Sequence, residues 1–233
     1  MVKEGISVLI AAYRAEKYIL ECINSISTTT PHEILIGIDG CKKTLNVVNG
    51  LRNENLKVFN KEKNTGAYDT WNMLIPKASF NHILIFAADD IMIDGFLDNA
   101  ISELNNFDFM HIRCKTFSDN ADDDGHIWIT DGVILIRTEV IMSVNGYQRW
   151  QCSADTELKL RLIHHGYLNK ASNSVGFKYR RHHNSLSSTC NLETGKGSDI
   201  RNYYRKIIDD KIERNVFPDP TDGVSSHFSK GSD

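Results

Sequence analysis

Hydrophobic residues in the first half of the chain fall in short unbroken runs separated by polar, helix-spaced segments. The runs are Ile6–Ala11, Glu33–Ile38 and His82–Ala88, with a short strand-like segment at Lys57–Asn60. Apolar runs of this length, bounded by turn residues, predict strands covered on both faces, as in parallel sheets. Between them, Glu16–Ile26 carries an apolar stripe of Tyr18, Ile19, Cys22, Ile23 and Ile26. A polar helix is expected near Lys43–Asn53, and Gly66–Lys77 reads as a helix with Trp71, Leu74 and Ile75 on its buried side. The alternation predicts βαβ units and a mostly parallel sheet flanked by helices, an α/β fold.

The second half is less regular. Phe107–Lys115, Ile127–Ile136 and Val175–Arg181 are strand-like, and Phe117–Gly125 is a polar, acid-rich loop. Helices are expected over Thr138–Ser143, Ala154–His165 and Asp199–Arg214, the last with Tyr203, Ile207, Ile208 and Ile212 aligned. The domain is expected to span 1–217, in two halves (1–105 and 106–217), and 218–233 reads as a disordered tail.

Composition changes this picture little. At 233 residues, 41% hydrophobic and 24% charged, the chain suits one soluble domain. A net charge of −3 gives no general basic surface for nucleic acid, although Lys178, Arg180, Arg181, His182 and His183 form a local basic run. The five cysteines are scattered without CxxC spacing, which points to reduced thiols and a cytoplasmic setting. No apolar stretch reaches membrane-spanning length, and the first residues do not read as a signal peptide.

Candidate chemistry gathers at strand ends. Asp89 and Asp90 follow a fully apolar run, so they arrive at the carboxyl edge of the sheet, where open α/β folds bind ligands. Paired carboxylates there suit a divalent cation and a nucleotide, although surface turns also carry paired acids. Asp39-Gly40 ends the second run at the same edge: a tight turn, or a carboxylate that accepts a nucleobase N–H. Asn64-Thr65-Gly66 is similarly a loop or a binding loop. Ser153 resembles an N-cap, with Asp155 and Glu157 favouring the positive helix end; the alternative makes Asp155 a general base. His182 and His183 read as surface residues, or one of them completes a Mn²⁺ shell begun by Asp90.

In order along the chain, these segments resemble family 2 of the inverting nucleotide-sugar glycosyltransferases, whose catalytic domain has the GT-A fold. The resemblance runs from Ile6 to Ser187. It rests on Ser7–Tyr13, Glu33–Gly40, Asn64-Thr65-Gly66 with Trp71-Asn72, and Ala88-Asp89-Asp90. It continues through Gly146-Tyr147, Ala154-Asp155, Glu157-Leu158, Arg161 with Gly166, and Tyr179-Arg180 with His182, Ser185 and Ser187. The sequence departs from the family pattern at Ala87, Ile38 and Ala154, where acids are usual.

The resemblance implies that Ala12 and Tyr13 line a nucleobase pocket, with Asp39 on the base and Asn64 and Gly66 in the donor loop. It implies Asp89 on ribose or metal, Asp90 and His182 on Mn²⁺ or Mg²⁺ at the diphosphate, and Asp155 as the base. The implied reaction moves a sugar, most simply from a uridine diphosphate sugar, to a hydroxyl of a polysaccharide, a lipid-linked sugar or another glycan. Protein or modified DNA are further acceptors this reading allows. A sugar nucleotidyltransferase and a nucleotide-sugar-binding module without transfer are the rivals. The segment Ala11–Ala15 lacks the glycines of a nucleotidyltransferase phosphate loop.

Overall fold

The three apolar runs and the short strand-like segment of the first half become parallel strands: β1 (Lys3–Ala12), β2 (His32–Asp39), β3 (Leu56–Lys61) and β4 (Phe80–Ala87). The computed structural model describes residues 3–119, 125–189 and 198–220. Side-chain alternation sends the two faces of each strand into different cores. Val8 and Ile10, Ile34 and Ile36, and Leu84 and Phe86 join one core. Their neighbours Leu9, Leu35, Ile83 and Ile85 join the other. Each fully buried aliphatic side chain contributes roughly 1.5–3 kcal/mol, so this double coverage anchors the strand ends firmly.

Helices α1 (Ile19–Ser25), α2 (Lys42–Asn49) and α3 (Ala67–Leu74) connect these strands. All three are shorter than the sequence pattern suggests. Glu16 and Tyr18 precede α1, and α2 stops before Gly50. Pro76 cannot donate the next helical hydrogen bond, so α3 gives way to a 3₁₀ turn over Ile75–Lys77.

A short strand β5 (Ile91–Met92) and helix α4 (Phe96–Leu104) follow, neither anticipated from the sequence. Then come β6 (Phe109–Phe117), β7 (Ile127–Arg137), α5 (Thr138–Ser143), α6 (Ala154–His164) and β8 (Asn169–Arg180). A short turn of helix, α7 (Leu186–Thr189), precedes α8 (Ser198–Arg214). The sheet order is β3-β2-β1-β4-β7-β6-β8-β5. Its first four strands are mutually parallel, and β6 with β8 adds a further parallel pair. The pairs β4–β7, β6–β7 and β5–β8 are antiparallel.

The buried side of α8 differs from expectation. Tyr204 and Ile208 face inward, while Tyr203 and Ile212 are exposed. Tyr204 stacks on Trp150, with ring centroids 4.7 Å apart and planes 19° from parallel. That contact sets the helix rotation, and a single helix's apolar stripe cannot reveal it. Residues 218–220 lie against the body, where the Pro218 carbonyl and Asp219 carboxylate face Gln148 and Arg161. The remainder of the expected tail, 221–233, and the centre of the acid-rich loop, 120–124, lie outside the described residues. Cys22, Cys41, Cys114 and Cys152 form no disulfide among the described residues, and Cys190 is also outside them.

Candidate active site

Strands β1, β2 and β4 run in register, pairing Ala12 with Ile38 and Ala11 with Ala87. Ala12, Asp39 and the Asp89-Asp90 turn therefore leave the sheet at one edge. The two acids of the turn face different ways. Asp90 is 2% exposed, and its Oδ1 accepts the Arg180 N–H at 2.9 Å. Burial, then the neighbouring Asp89 charge, pushes the Asp90 carboxyl well above its ordinary range. Asp89 points outward, with Oδ2 2.8 Å from His182 Nε2. The sequence reading placed Asp90 with His182; the structure brings Asp89 to His182 and leaves Asp90 buried inside the turn.

Arg180 organises this corner. Its Nε donates to the Asp89 carbonyl at 2.7 Å, and its two terminal nitrogens meet Asp119 and Glu21. The guanidinium lies 4.8 Å from the Tyr18 ring centroid and 4.5 Å from that of Phe117. Tyr18 also packs on His182, with ring centroids 4.7 Å apart. Arg180 is thus buried, and the basic run at 178–183 is not a continuous surface patch. The sequence marks Arg180 as part of a basic run and of a closing segment, not as a clasp. Its role as a clasp depends on partners distant in the chain.

At the other end of the edge, Asp39 is 2% exposed. Its Oδ1 accepts the Thr65 N–H at 2.9 Å and its Oδ2 accepts the Gly66 N–H at 2.8 Å. The Asp39 carboxylate therefore holds the Asn64–Gly66 loop, which the sequence reading did not foresee. Asn64 Oδ1 accepts the same Gly66 N–H at 3.0 Å. Gly66 sits at φ +96° and ψ 160°, a conformation open to glycine, and opens α3 directly. Ala12 is buried beneath this loop region's sheet edge, whereas Tyr13 is 43% exposed with Arg14 over its ring.

Asp155 stands in the first turn of α6. Ser153 makes no side-chain cap; its carbonyl accepts the Glu157 N–H at 3.1 Å. Glu157 is likewise not at a solvated helix end but fully buried against Arg161, which is also fully buried. Asp155 Oδ1 accepts the Tyr68 O–H and the Thr156 N–H, both at 3.0 Å. Oδ2 lies beside Gly132, where a Cβ would be only 3.5 Å away. Burial raises the Asp155 carboxyl above its ordinary value, Asp131 adds to this, and hydrogen bonds from the Thr156 N–H, the Tyr68 O–H and its own backbone N–H oppose it. Tyr68 was absent from the sequence reading. Its signal was spacing: it lies three residues before Trp71 on the buried face of α3, and a buried tyrosine hydroxyl needs a partner.

A divalent ion bound at this edge would find two side-chain donors. Among the described residues no group of three or more His, Cys, Asp or Glu side chains is placed to hold a metal. One carboxylate and one imidazole, Asp89 and His182, converge at the sheet edge. Mg²⁺ and Mn²⁺ bound with a diphosphate use few protein ligands and take the rest from phosphate and water.

This sheet, with the Asn64–Gly66 loop and the acidic turn at one edge, defines an α/β chain of GT-A type. The sequence profile of glycosyl transferase family 2 matches residues 7–151, and the chain belongs to that family. Among solved structures, S. aureus TarS 1–349 in complex with UDP-GlcNAc is similar at 18% identity and a TM-score of 0.66. That match covers 85% of this chain and 65% of TarS 1–349. The same TarS region without a named ligand matches at 20% identity and a TM-score of 0.61, covering 76% of this chain and 60% of that one. The mannosyltransferase PcManGT from Pyrobaculum calidifontis, in complex with GDP-Man and Mn²⁺, is similar at 12% identity and a TM-score of 0.63. It is covered over 60% of its length, against 81% of this chain. The chain thus spans less than two thirds of these structures. No curated protein matches this sequence. Among the described residues no helix is long and apolar enough to cross a membrane.

Proposed function

We propose that this chain is an inverting glycosyltransferase that uses a nucleoside diphosphate sugar, a divalent ion and a hydroxyl acceptor. The observation that carries this reading is the Asp89–His182 pair at the edge where Asp39 fixes the donor loop. The likeness to TarS with UDP-GlcNAc supports a uridine diphosphate donor, with a guanosine diphosphate sugar as the alternative suggested by PcManGT.

In this reading Ala12, Tyr13 and the Asn64–Gly66 loop held by Asp39 frame the nucleobase. Asp89 and His182 hold Mn²⁺ or Mg²⁺, while Asp90 and Arg180 fix the turn that presents Asp89. The bound ion supplies charge neutralisation at the departing diphosphate. Asp155 takes the acceptor hydroxyl proton on Oδ2. The acceptor oxygen bonds to the anomeric carbon from the face opposite the nucleotide. The bond from that carbon to the diphosphate oxygen breaks, and its electron pair leaves with the diphosphate. The acceptor is a glycan hydroxyl in this reading.

The test is thermal unfolding with UDP, GDP, ADP and CDP, each with and without Mn²⁺. A matched nucleotide at about 100 times its Kd should stabilise by about 2.7 kcal/mol. Asp89→Ala and His182→Ala should remove the Mn²⁺-dependent part of that gain. If no nucleotide diphosphate raises the unfolding temperature at millimolar concentration, the donor assignment fails.

A further inference from the structure

Asp155 reaches the site through contacts that the reaction itself does not explain. We propose that Tyr68 is a positioning residue for Asp155: its hydroxyl pins Oδ1 and leaves Oδ2 as the oxygen that meets the acceptor. The inference rests on Asp155 being the base.

The geometry has three parts. Tyr68 is 4% exposed, so its O–H contact with Asp155 is made in a dry setting where hydrogen bonds to charge are strong. The ring is itself fixed, with centroids 5.7 Å from Trp71 and 5.4 Å from Tyr147. Tyr68 also lies two residues beyond Gly66, whose N–H is held by Asp39. One short helical turn therefore connects the donor loop to the carboxylate on α6. The donor end and the proton-accepting end are located by a single rigid element, α3.

The groups that face Asp155 come from several elements. Tyr68 approaches from α3, Tyr147 from the turn before α6, and Asp131 from β7. Asp131 is itself paired with Lys159 at 3.1 Å and accepts the Thr156 hydroxyl at 3.0 Å. Glu157 and Arg161 form a closed pair within the same helix. Of these, the Tyr68 hydroxyl and the Thr156 N–H are the hydrogen-bond donors to the carboxylate, and both favour its ionised form.

The experiment follows the Asp155 carboxyl ¹³C resonance against pH in protein labelled at aspartate. The resonance is assigned by its loss in Asp155→Asn. Tyr68→Phe removes one oxygen and keeps the ring, so the fold should survive; the midpoint should rise by about one unit. Placing 3-fluorotyrosine at position 68 keeps the hydroxyl and makes it a stronger donor, so the midpoint should fall. A purely structural role for Tyr68 predicts no such pair of opposite shifts. Unmoved midpoints in both variants, or shifts in the same direction, overturn the proposal. Nucleotide release from the sugar donor that stabilises the protein separates the two readings. If Asp155→Asn keeps that turnover, the base assignment is wrong. If Asp155→Asn loses it while the Tyr68 variants leave the midpoint in place, Tyr68 alone has been misread.

Discussion

Replacing Glu157 with glutamine should cost this protein about 3–5 kcal/mol of stability, a large share of the roughly 5–15 kcal/mol typical of a folded domain. Glu157 and Arg161 are both fully buried, 3.2 Å apart, and Lys211 of α8 joins the same carboxylate. At an effective dielectric of about 20, one unit-charge pair at that distance is worth about 5 kcal/mol. Glutamine keeps the shape and one acceptor oxygen but removes the charge. The Arg161 guanidinium then stays in the interior, still donating to the Val144 and Gly146 carbonyls, with only Asp219 at 3.4 Å to balance it. With an m-value of about 3 kcal/mol/M in urea, the midpoint should fall by about 1–1.7 M. Lys211→Met, which leaves the inner pair intact, should cost only about 1 kcal/mol. Urea unfolding followed by tryptophan fluorescence measures both variants. A Glu157→Gln midpoint within about 0.3 M of the parent would refute the reasoning, because the buried charge would then be balanced by something other than Glu157.

Two further outcomes follow from the same geometry. Gly146 has φ +67°, and a Cβ there would come 2.4 Å from Asn72 Oδ1, which already accepts the Tyr147 N–H at 2.8 Å. Gly146→Ala should therefore destabilise by about 3 kcal/mol and lower the unfolding temperature by roughly 6–12 °C; a drop below about 2 °C would contradict it. Asp155→Asn should abolish transfer and yet stabilise the protein at pH 8. The folded-state carboxyl titrates above its unfolded value, so wild-type stability is fullest below that unfolded value and is lost as pH rises through the folded one. Scanning unfolding temperature from pH 4 to pH 8 should show the variant's advantage growing with pH; an advantage that shrinks would reverse the sign of the argument.

The parallel half of the fold was legible because β1, β2 and β4 are covered on both faces and announce themselves as unbroken apolar runs. Helix α4 was equally readable in principle, since Phe96, Leu97, Ala100 and Leu104 share one buried face. Its apolar positions are interspersed with Asp94, Gly95, Asp98 and Asn99 and followed by Asn105-Asn106, residue types that favour turns. What could not be read was orientation. Neighbouring residues of a turn point to opposite sides, and Arg180, 90 residues away, decides that Asp90 goes in and Asp89 comes out. The same holds for Asp39, whose place at the end of β2 was evident. Its partners, Thr65 and Gly66, are 26 and 27 residues distant. Tyr68 and Asp155 meet across 87 residues. Strand patterns are local information, whereas the facing of a site residue is set by whatever packs against it.

The Arg180 clasp has a consequence for how this protein is made. A ribosome working at about 5–20 residues per second needs roughly 5–18 s to travel from Asp90 to Arg180. During that interval β1 to β4 can already pair, while the acidic turn has neither its guanidinium nor His182. A nascent or prematurely terminated chain thus carries β1 to β4 without the Arg180 clasp on the Asp89-Asp90 turn. The turn is completed late, with the strand that closes the second half.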